Sequence, residues 1–357
     1  MKLAKQYDAV VVGAGPAGST AARRLGQAGL RVLLLERKKV VGAGVQCAEF
    51  VPVIISQYTS LREDHIAQRI KGINTYVSGK LASCLKAPGY VLNRAPWEQA
   101  QAEAAEQAGV LVSRGARVTG IARNVVTIAS GSRLWAVTAD YILGCDGPRS
   151  LVSAAIGNEQ QELCIALQYE LALEKPTAYA AIYFEPAYYG GYAWVFPKGA
   201  TANVGLAVHS TYKDKLRLLL TAFCRKLAEE KIVQEKPVLS VTGGPIPAGG
   251  LVNRLESGHM LLAGDAAGCT HPITGAGIMN AVVSGHLAAR AVITNASSQG
   301  AQPLAENYTR AIKDQYGRQF AIACERLQRR TEEWTDNRAE FLALIRRSWI
   351  AFPEYYA

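Results

Sequence analysis

The amino-acid sequence predicts an α/β protein with a Rossmann-type nucleotide-binding lobe, an antiparallel β-sheet lobe and a helical C-terminal tail. Three observations support this fold class. The first 36 residues combine a buried strand, a glycine turn, a helix and a second strand. Between residues 155 and 255, aromatic and β-branched residues alternate as they do in antiparallel strands. Residues 304–350 show mostly helical periodicity.

The opening unit has the order of elements that binds a dinucleotide. Residues 7–12 predict a buried strand, residues 13–18 a phosphate-binding turn, residues 19–28 a helix and residues 31–36 a second strand. Glycines in such a turn permit a tight bend, let backbone N–H groups approach a pyrophosphate, and let the helix pack closely on the strand. An acid that ends the second strand accepts hydrogen bonds from a ribose 2′-OH. The predicted dinucleotide contacts are Gly13, Gly15, Pro16, Ala17, Gly18, Glu36 and Arg37.

Further elements follow in chain order, each with its own signal. Pro96 suits the first turn of an alanine-rich helix that Gly109 ends, and Gly131 suits the turn of a hairpin. Two apolar segments each end at an acid, Asp146 and Asp265, as buried strands of a parallel sheet often do. The predicted elements are helix 98–108, hairpin strands 125–128 and 135–137, strand 141–147, helix 213–231, the segment 259–265 that resumes the nucleotide-binding lobe, and helix 278–293.

These elements divide the chain into segments. Residues 41–90 contain several glycines, and we expect an irregular cap there. The predicted segments are 1–154 for the first part of the nucleotide-binding lobe, 155–255 for the substrate-binding β-rich lobe, 256–303 for the second part of the nucleotide-binding lobe, and 304–357 for the helical tail.

The composition is that of a globular protein with a large core. The chain has 357 residues, of which 49% are hydrophobic, and this length favours two lobes. It contains no run of about 18 apolar residues and no signal-peptide pattern, so we expect a cytoplasmic protein that can contact a membrane from its surface. The seven cysteines form no CxxC pair and do not cluster with the five histidines. We therefore expect reduced thiols and no metal site.

The net charge of +10 does not come from one long basic block. Such a balance can serve nucleic acid, an anionic membrane or an acidic redox protein. None of the nucleic-acid module signatures is present, so we expect no nucleic-acid partner.

Three separated elements together resemble the FAD-binding oxidoreductases related to aromatic hydroxylases: the opening unit, Asp146-Gly147 and Gly264-Asp265. The resemblance implies FAD as the cofactor, with Asp265 on its ribityl chain and Arg94 near its phosphate or ribityl region. Gly275, Gly277 and Ile278 lead into a helix, whose N-terminal N–H groups can stabilise negative charge on a reduced flavin.

A narrower resemblance, to the geranylgeranyl reductases, spans residues 7 to about 295. These enzymes use reduced FAD to hydrogenate C=C bonds in polyprenyl chains of lipids, chlorophyll precursors or quinones. The substrate implied is therefore apolar or lipid-linked. The matching segments are Cys47-Ala48-Glu49, residues 192–199 (YAWVFPKG), residues 202–207 (ANVGLA), residues 243–247 (GGPIP), residues 264–268 (GDAAG) and residues 272–278 (PITGAGI).

The residue types suit alkene reduction. Tyr192, Trp194 and Phe196 alternate, so their rings share one face of a strand and can wall an apolar pocket. A thiol is mostly protonated at neutral pH and can donate the proton that must accompany a hydride. The resemblance implies this role for Cys47, beside the flavin with Ala48, and makes Tyr192 and Trp194 catalytic candidates. The alternatives are that Cys47 is a small buried hydrophobe and that the rings are ordinary sheet packing.

The chain also departs from the family pattern. Ala48 and Ala207 stand where family members often have glycine, and the tail is shorter than in many members, which puts the substrate's length in doubt. No second glycine-rich unit is available for a nicotinamide, because Pro245 and Pro247 suit a loop better than a phosphate-binding helix. The predicted external reductant is NADPH or reduced ferredoxin, and the second option makes a redox protein a partner.

Two other functions share these motifs. A flavin monooxygenase or halogenase would use the same FAD site to activate oxygen, and an escort protein would bind prenyl chains without catalysis.

In the tail, Leu342, Ile345, Trp349 and Ile350 recur at helical spacing beside Arg346 and Arg347. This pattern predicts weak association with anionic membranes, or alternatively a face that packs on the protein's own core.

Overall fold

The computed structural model describes residues 4–298 and 304–357, and that part of the chain contains two eight-stranded sheets and eight α-helices. Residues 1–3 and 299–303 were assigned above to the ends of the nucleotide-binding segments and lie outside the described residues. The α/β class, the Rossmann-type lobe and the helical tail are confirmed.

The strands are, in chain order, Gln6–Val12 (β1), Val32–Glu36 (β2), Phe50–Pro52 (β3), Ile66–Val77 (β4), Lys80–Leu92 (β5), Leu111–Arg114 (β6), Arg117–Ala122 (β7), Val125–Ser130 (β8), Arg133–Gly144 (β9), Leu163–Ala172 (β10), Tyr179–Phe184 (β11), Tyr192–Lys198 (β12), Thr201–His209 (β13), Ser240–Pro247 (β14), Glu256–Ser257 (β15) and Met260–Leu262 (β16). The helices are Pro16–Gln27 (α1), Arg94–Gln107 (α2), Leu151–Ala155 (α3), Leu216–Glu229 (α4), Ile278–Ser297 (α5), Leu304–Ile312 (α6), Arg318–Glu332 (α7) and Arg338–Ser348 (α8).

The first sheet forms the nucleotide-binding lobe, with the order β15-β16-β9-β1-β2-β6 and the pair β7-β8 attached to β9. Strands β6, β2, β1, β9 and β16 run parallel, so their carboxyl ends lie along one edge. Gly13 adopts a φ of +98° in the turn after β1. A Cβ on Gly18 would overlap the Gly13 carbonyl, so α1 approaches the turn as closely as predicted.

The second sheet has the order β14-β10-β13-β12-β11-β4-β5-β3. Its pairing is antiparallel, except that β11 runs parallel to β4. Three of its strands come from residues 50–92, so the expectation of an irregular segment at residues 41–90 was wrong. The glycines that suggested irregularity are part of the strand pair: Gly79 forms the turn at a φ of +76°, and Gly89 lies against the Phe50 ring. The lobe assigned to residues 155–255 therefore also draws on this earlier segment.

Alternating side chains on the second sheet form two cores. Ala193 and Val195 of β12 face α4, whose buried side includes Leu220. Trp194 and Phe196 alternate with these residues along the strand, so they face the tail and the first lobe. The period of two in a strand thus lets one segment belong to both cores.

The tail is part of the second core. Ile345 and Trp349 are fully buried against the sheet, whereas Leu342 is 37% exposed. The Trp349 ring contacts those of Phe184 and Tyr192, with centroids 5.0 and 5.2 Å apart, and its Nε1 donates to Thr75 Oγ1 at 3.2 Å. Ile345 and Trp349, at the centre of the apolar face predicted to bind membranes, are therefore covered by the protein itself. Of the two alternatives for the tail, the structure selects packing.

We expect Trp349→Ala to lower the free energy of unfolding by about 3–5 kcal/mol, because it leaves a cavity among buried aromatic rings. Urea denaturation followed by circular dichroism measures this loss. The control Leu342→Ala, on the more exposed side of the same tail, should cost less than about 1 kcal/mol. Equal losses in the two variants would contradict the role of the tail as part of the core.

Candidate active site

A cavity of about 320 Å³ lies where the two lobes meet. The first lobe contributes the turn before α1, the segment after β16 and the loop before α5, and the second contributes β10, β12 and β14. Most of the predicted site residues border this cavity. Those that line it are Gly15, Pro16, Ala17, Cys47, Ala48, Arg94, Gly147, Tyr192, Trp194, Gly264, Asp265, Gly275, Gly277 and Ile278.

The other predicted residues lie away from the cavity wall. Gly13 and Gly18 shape the turn, and Arg37 is exposed. Glu36 ends β2, where its carboxylate accepts hydrogen bonds from the backbone N–H groups of Ala14 at 3.0 Å and Lys38 at 2.9 Å. The Glu36 carboxylate is thereby fixed beside the phosphate-binding turn, as a ribose-binding acid requires.

Asp146 is not among the residues that line the cavity. Its carboxylate accepts hydrogen bonds from Ser150 Oγ at 2.5 Å and from the backbone N–H of Leu151 at 2.7 Å. These groups belong to the first turn of α3, so the structure gives Asp146 a helix-capping role. Gly147, the next residue, is the one that lines the cavity.

The cavity fits the predicted FAD at its phosphate end. A Cβ on Gly15 would meet no atom within 4 Å, so the backbone there is open to a ligand. The first turn of α1 has no side-chain cap, and neither does that of α5. Their N–H groups can therefore bind anionic oxygens of a cofactor.

Arg94 is buried at the same cavity. Its guanidinium donates to the Glu98 carboxylate, while its Nε is buried without a partner among the described residues. Burial alone would lower the pKa of Arg94, but the adjacent Glu98 carboxylate and Cys47 thiol raise it above its usual range. Arg94 is thus a fixed cation with one free donor, which fits a phosphate or ribityl oxygen.

Asp265 lines the same cavity as Arg94. Burial raises the pKa of its carboxyl group, against the opposing effects of the hydrogen bond from Thr270 Oγ1, at 2.7 Å, and of the Arg94 charge. Thr270 also lines the cavity. The sequence offered no signal for Thr270, because its position depends on the loop between β16 and α5.

The three rings of β12 form the apolar wall, as their alternation predicts. Tyr192 Oη donates to the Thr274 carbonyl at 2.6 Å and so joins β12 to the loop before α5. Trp194 Nε1 donates to Gln168 Oε1 at 2.9 Å. Phe196 packs against the Phe50 ring, with centroids 5.6 Å apart.

Gln168 is a site residue that sequence reasoning missed. Its side chain is buried on β10, where Oε1 accepts from Trp194 and Nε2 donates to the Cys47 carbonyl at 3.1 Å. It therefore connects the aromatic wall to the candidate proton donor. A polar residue within an apolar strand pattern was the only signal available, and it does not reveal the partner.

The comparisons with known proteins agree with this geometry. The model of FAD-dependent oxidoreductases matches residues 8–156, and that of the geranylgeranyl reductase catalytic domain matches residues 162–246. A digeranylgeranylglycerophospholipid reductase of Methanopyrus kandleri is 34% identical over 307 residues, which cover 81% of this chain and 80% of the relative. The enzyme of that name from Methanococcus vannielii is 30% identical over 328 residues, which cover 88% and 82%.

A solved geranylgeranyl bacteriochlorophyll reductase-like protein from Thermoplasma acidophilum is similar over 97% of both chains, with a TM-score of 0.83 and 26% identity. A flavin-dependent halogenase shares the fold with a TM-score of 0.75, over 95% of this chain and 67% of its own, at 17% identity.

The fold and the cavity define an FAD-dependent oxidoreductase. Within that class, three observations identify one family. They are the signature on β12, the Cys47 segment, and the identity to relatives over most of their length. The chain belongs to the geranylgeranyl reductase family.

We expect Glu36→Lys to weaken FAD binding by about 10- to 100-fold, since a cation cannot accept the hydrogen bonds of a ribose. Equilibrium dialysis with flavin fluorescence measures the affinity. The isosteric control Glu36→Gln, which keeps one acceptor, should give an intermediate value. Asp146→Asn should lower thermal stability and retain FAD, and loss of FAD in that variant would contradict the capping role of Asp146.

Proposed function

We propose that this protein reduces C=C bonds in the prenyl chains of a lipid, with electrons from FAD and a proton from Cys47. The observation that carries the proposal is that Cys47 lines the same cavity as the glycine-rich backbone of the first lobe and the aromatic wall of the second. The names of the relatives, digeranylgeranylglycerophospholipid reductases, support a prenyl lipid as the substrate class.

The side chains that line the cavity suit an alkene that carries no charge. Trp194, Phe196 and Ile246 present apolar surface, and the polar atoms of the aromatic wall are already hydrogen-bonded within the protein. Apolar contact therefore selects the substrate, while the bonded polar groups hold the wall in place.

Bound FAD supplies the electron pair as a hydride to one carbon of the double bond. The thiol of Cys47 supplies the proton to the other carbon, and the resulting thiolate regains a proton from water. Two groups stabilise that thiolate: the Glu49 backbone N–H, 3.2 Å from Cys47 Sγ, and the Arg94 guanidinium. Tyr192 is a weaker donor, because burial raises its pKa and its hydroxyl is bonded to Thr274.

An anaerobic reoxidation experiment tests this function. The bound flavin is reduced with dithionite, prenyl lipids that retain their double bonds are added, and the flavin absorbance is followed without oxygen. We expect the oxidised spectrum to return and the product to gain two hydrogens per bond. A flavin that stays reduced until air enters would instead identify a monooxygenase or halogenase.

In the same assay we expect Cys47→Ala to retain FAD and to slow alkene-dependent reoxidation by at least about tenfold, the low side of general acid catalysis. Cys47→Ser should recover little activity, because a hydroxyl is a much weaker acid. The control Cys84→Ala removes an exposed thiol and should react at the wild-type rate. A wild-type rate in Cys47→Ala would assign the proton to water.

The electron donor we propose is external, either NADPH or reduced ferredoxin. Stopped-flow reduction of the oxidised enzyme by each donor separates the two, because the donor that the enzyme uses should reduce the flavin rapidly and the other should not. An acidic protein docking on a basic surface weakens steeply as the ionic strength rises.

None of the described helices is long and apolar enough to span a membrane. We propose that the protein meets its lipid at the membrane surface, through the edge strand β14 and the two residues before it instead of the tail. Val238, Leu239 and Val241 are 40–55% exposed there, and Val241 shares a groove with Lys213 and Arg217. Exposed apolar side chains beside cations are typical of surfaces that bind anionic bilayers.

Sedimentation with anionic vesicles tests this surface. We expect the wild-type protein to pellet with the vesicles, less so at high salt, and the pair Leu239→Glu and Val241→Glu to remain in the supernatant. The control Leu134→Glu changes a side chain that is 70% exposed on the other sheet, and it should pellet like the wild type. Equal binding by all variants would rule out β14 as the contact.

A further inference from the structure

Each of residues 47–49 is hydrogen-bonded to a different strand of the second sheet. Gln168 Nε2 of β10 donates to the Cys47 carbonyl at 3.1 Å, and Asn203 Nδ2 of β13 donates to the Ala48 carbonyl at 3.3 Å. The Glu49 carboxylate then accepts from Lys198 Nζ of β12 at 2.5 Å. Three neighbouring strands thus fix three consecutive residues.

Glu49 makes the most contacts of these three residues. Its Oε2 also accepts from Asn203 Nδ2 at 2.9 Å, and its Oε1 accepts from the backbone N–H of Arg94 at 3.4 Å. Its own carbonyl accepts from Leu92 N at 3.0 Å. One residue therefore joins the Cys47 segment to the end of β5, the start of α2 and the hairpin of β12 and β13.

The backbone of Glu49 is strained, and the residue is 5% exposed. Its φ of +68° lies in the left-handed region, which residues other than glycine adopt only when their surroundings enforce it. In this conformation its N–H is 3.2 Å from Cys47 Sγ. The ion pair with Lys198 holds the Glu49 side chain, while the Glu49 backbone N–H meets the sulfur.

We propose that Glu49, paired with Lys198, is a positioning residue that holds the Cys47 thiol at the cavity and directs a backbone N–H onto its sulfur. The proposal rests on the proposed role of Cys47. Lys198 follows Phe196 by two residues on β12, so the strand that walls the substrate region also supplies the cation. A displacement of that strand therefore displaces the Cys47 thiol through the ion pair of Glu49 and Lys198.

Alkylation of Cys47 in the FAD-loaded protein tests the proposal without any alkene. Iodoacetamide is added across a pH series, and peptide mass spectrometry follows Cys47 separately from the other thiols. In Glu49→Gln we expect alkylation at pH 8 to slow by at least about fivefold and its pH midpoint to rise by at least about half a unit, because the N–H no longer stabilises the thiolate. FAD content should stay unchanged.

The direction of that shift separates the possible roles of Glu49. Removing a nearby negative charge would by itself favour the thiolate and lower the midpoint, and a purely structural ion pair would leave it unchanged. Either result would overturn the proposal. Lys198→Met should behave like Glu49→Gln, whereas Lys198→Arg keeps the ion pair and should behave like the wild type.

A second ion pair, between helix α4 and the residue after strand β11, supplies the matched control. Lys226 and Glu185 lie 3.2 Å apart and outside the residues that line the cavity, so Glu185→Gln should leave Cys47 alkylation unchanged. In the alkene assay, Glu49→Gln should lower kcat by at least about tenfold with little change in KM. If the alkylation shift appears while Cys47→Ala reoxidises normally, the positioning role stands and the proton-donor function fails.

Discussion

The hydrogen bonds between residues 47–49 and the second sheet fix the place where the two lobes meet. This segment has no regular secondary structure, so its carbonyl groups need partners from elsewhere. Gln168 and Asn203 supply them, and both are nearly inaccessible to water. Since a buried polar group without a partner is expensive, the segment has one favourable position on the sheet. The cavity wall, the thiol and the first turn of α2 are arranged around it.

Strand β12 shows how one short segment serves several purposes. Its odd and even positions belong to different cores, so the aromatic face can be devoted to the cavity without weakening the contact with α4. Trp349 closes the same face from the tail side. The tail is therefore a structural support for the aromatic wall, which explains why its apolar residues are buried.

The sequence predicted the strands and helix of the opening unit well, because these elements depend on local sequence. The strand, turn, helix and acid of the opening unit occupy 31 consecutive positions, from Gln6 to Glu36, and they place one another through short-range geometry. Asp146 shows the limit of this reasoning. An acid after a parallel strand predicts a ligand contact, and here the carboxylate of that acid also binds the start of α3. Spacing along the chain cannot decide between two acceptable partners.

By itself, the sequence determined the class of fold, the cofactor, the family and the shared face of the three rings on β12, because each depends on residue type and local period. The tertiary structure alone decided which distant groups meet. It placed strands β4 and β5 in the second sheet, buried the tail and brought Gln168, Lys198 and Asn203 to the Cys47 segment. The hydrogen bonds of Gln168, Lys198 and Asn203 to that segment join residues more than 100 positions apart. A buried side chain bonds to the group that lies next to it in space, and local sequence does not encode which group that is.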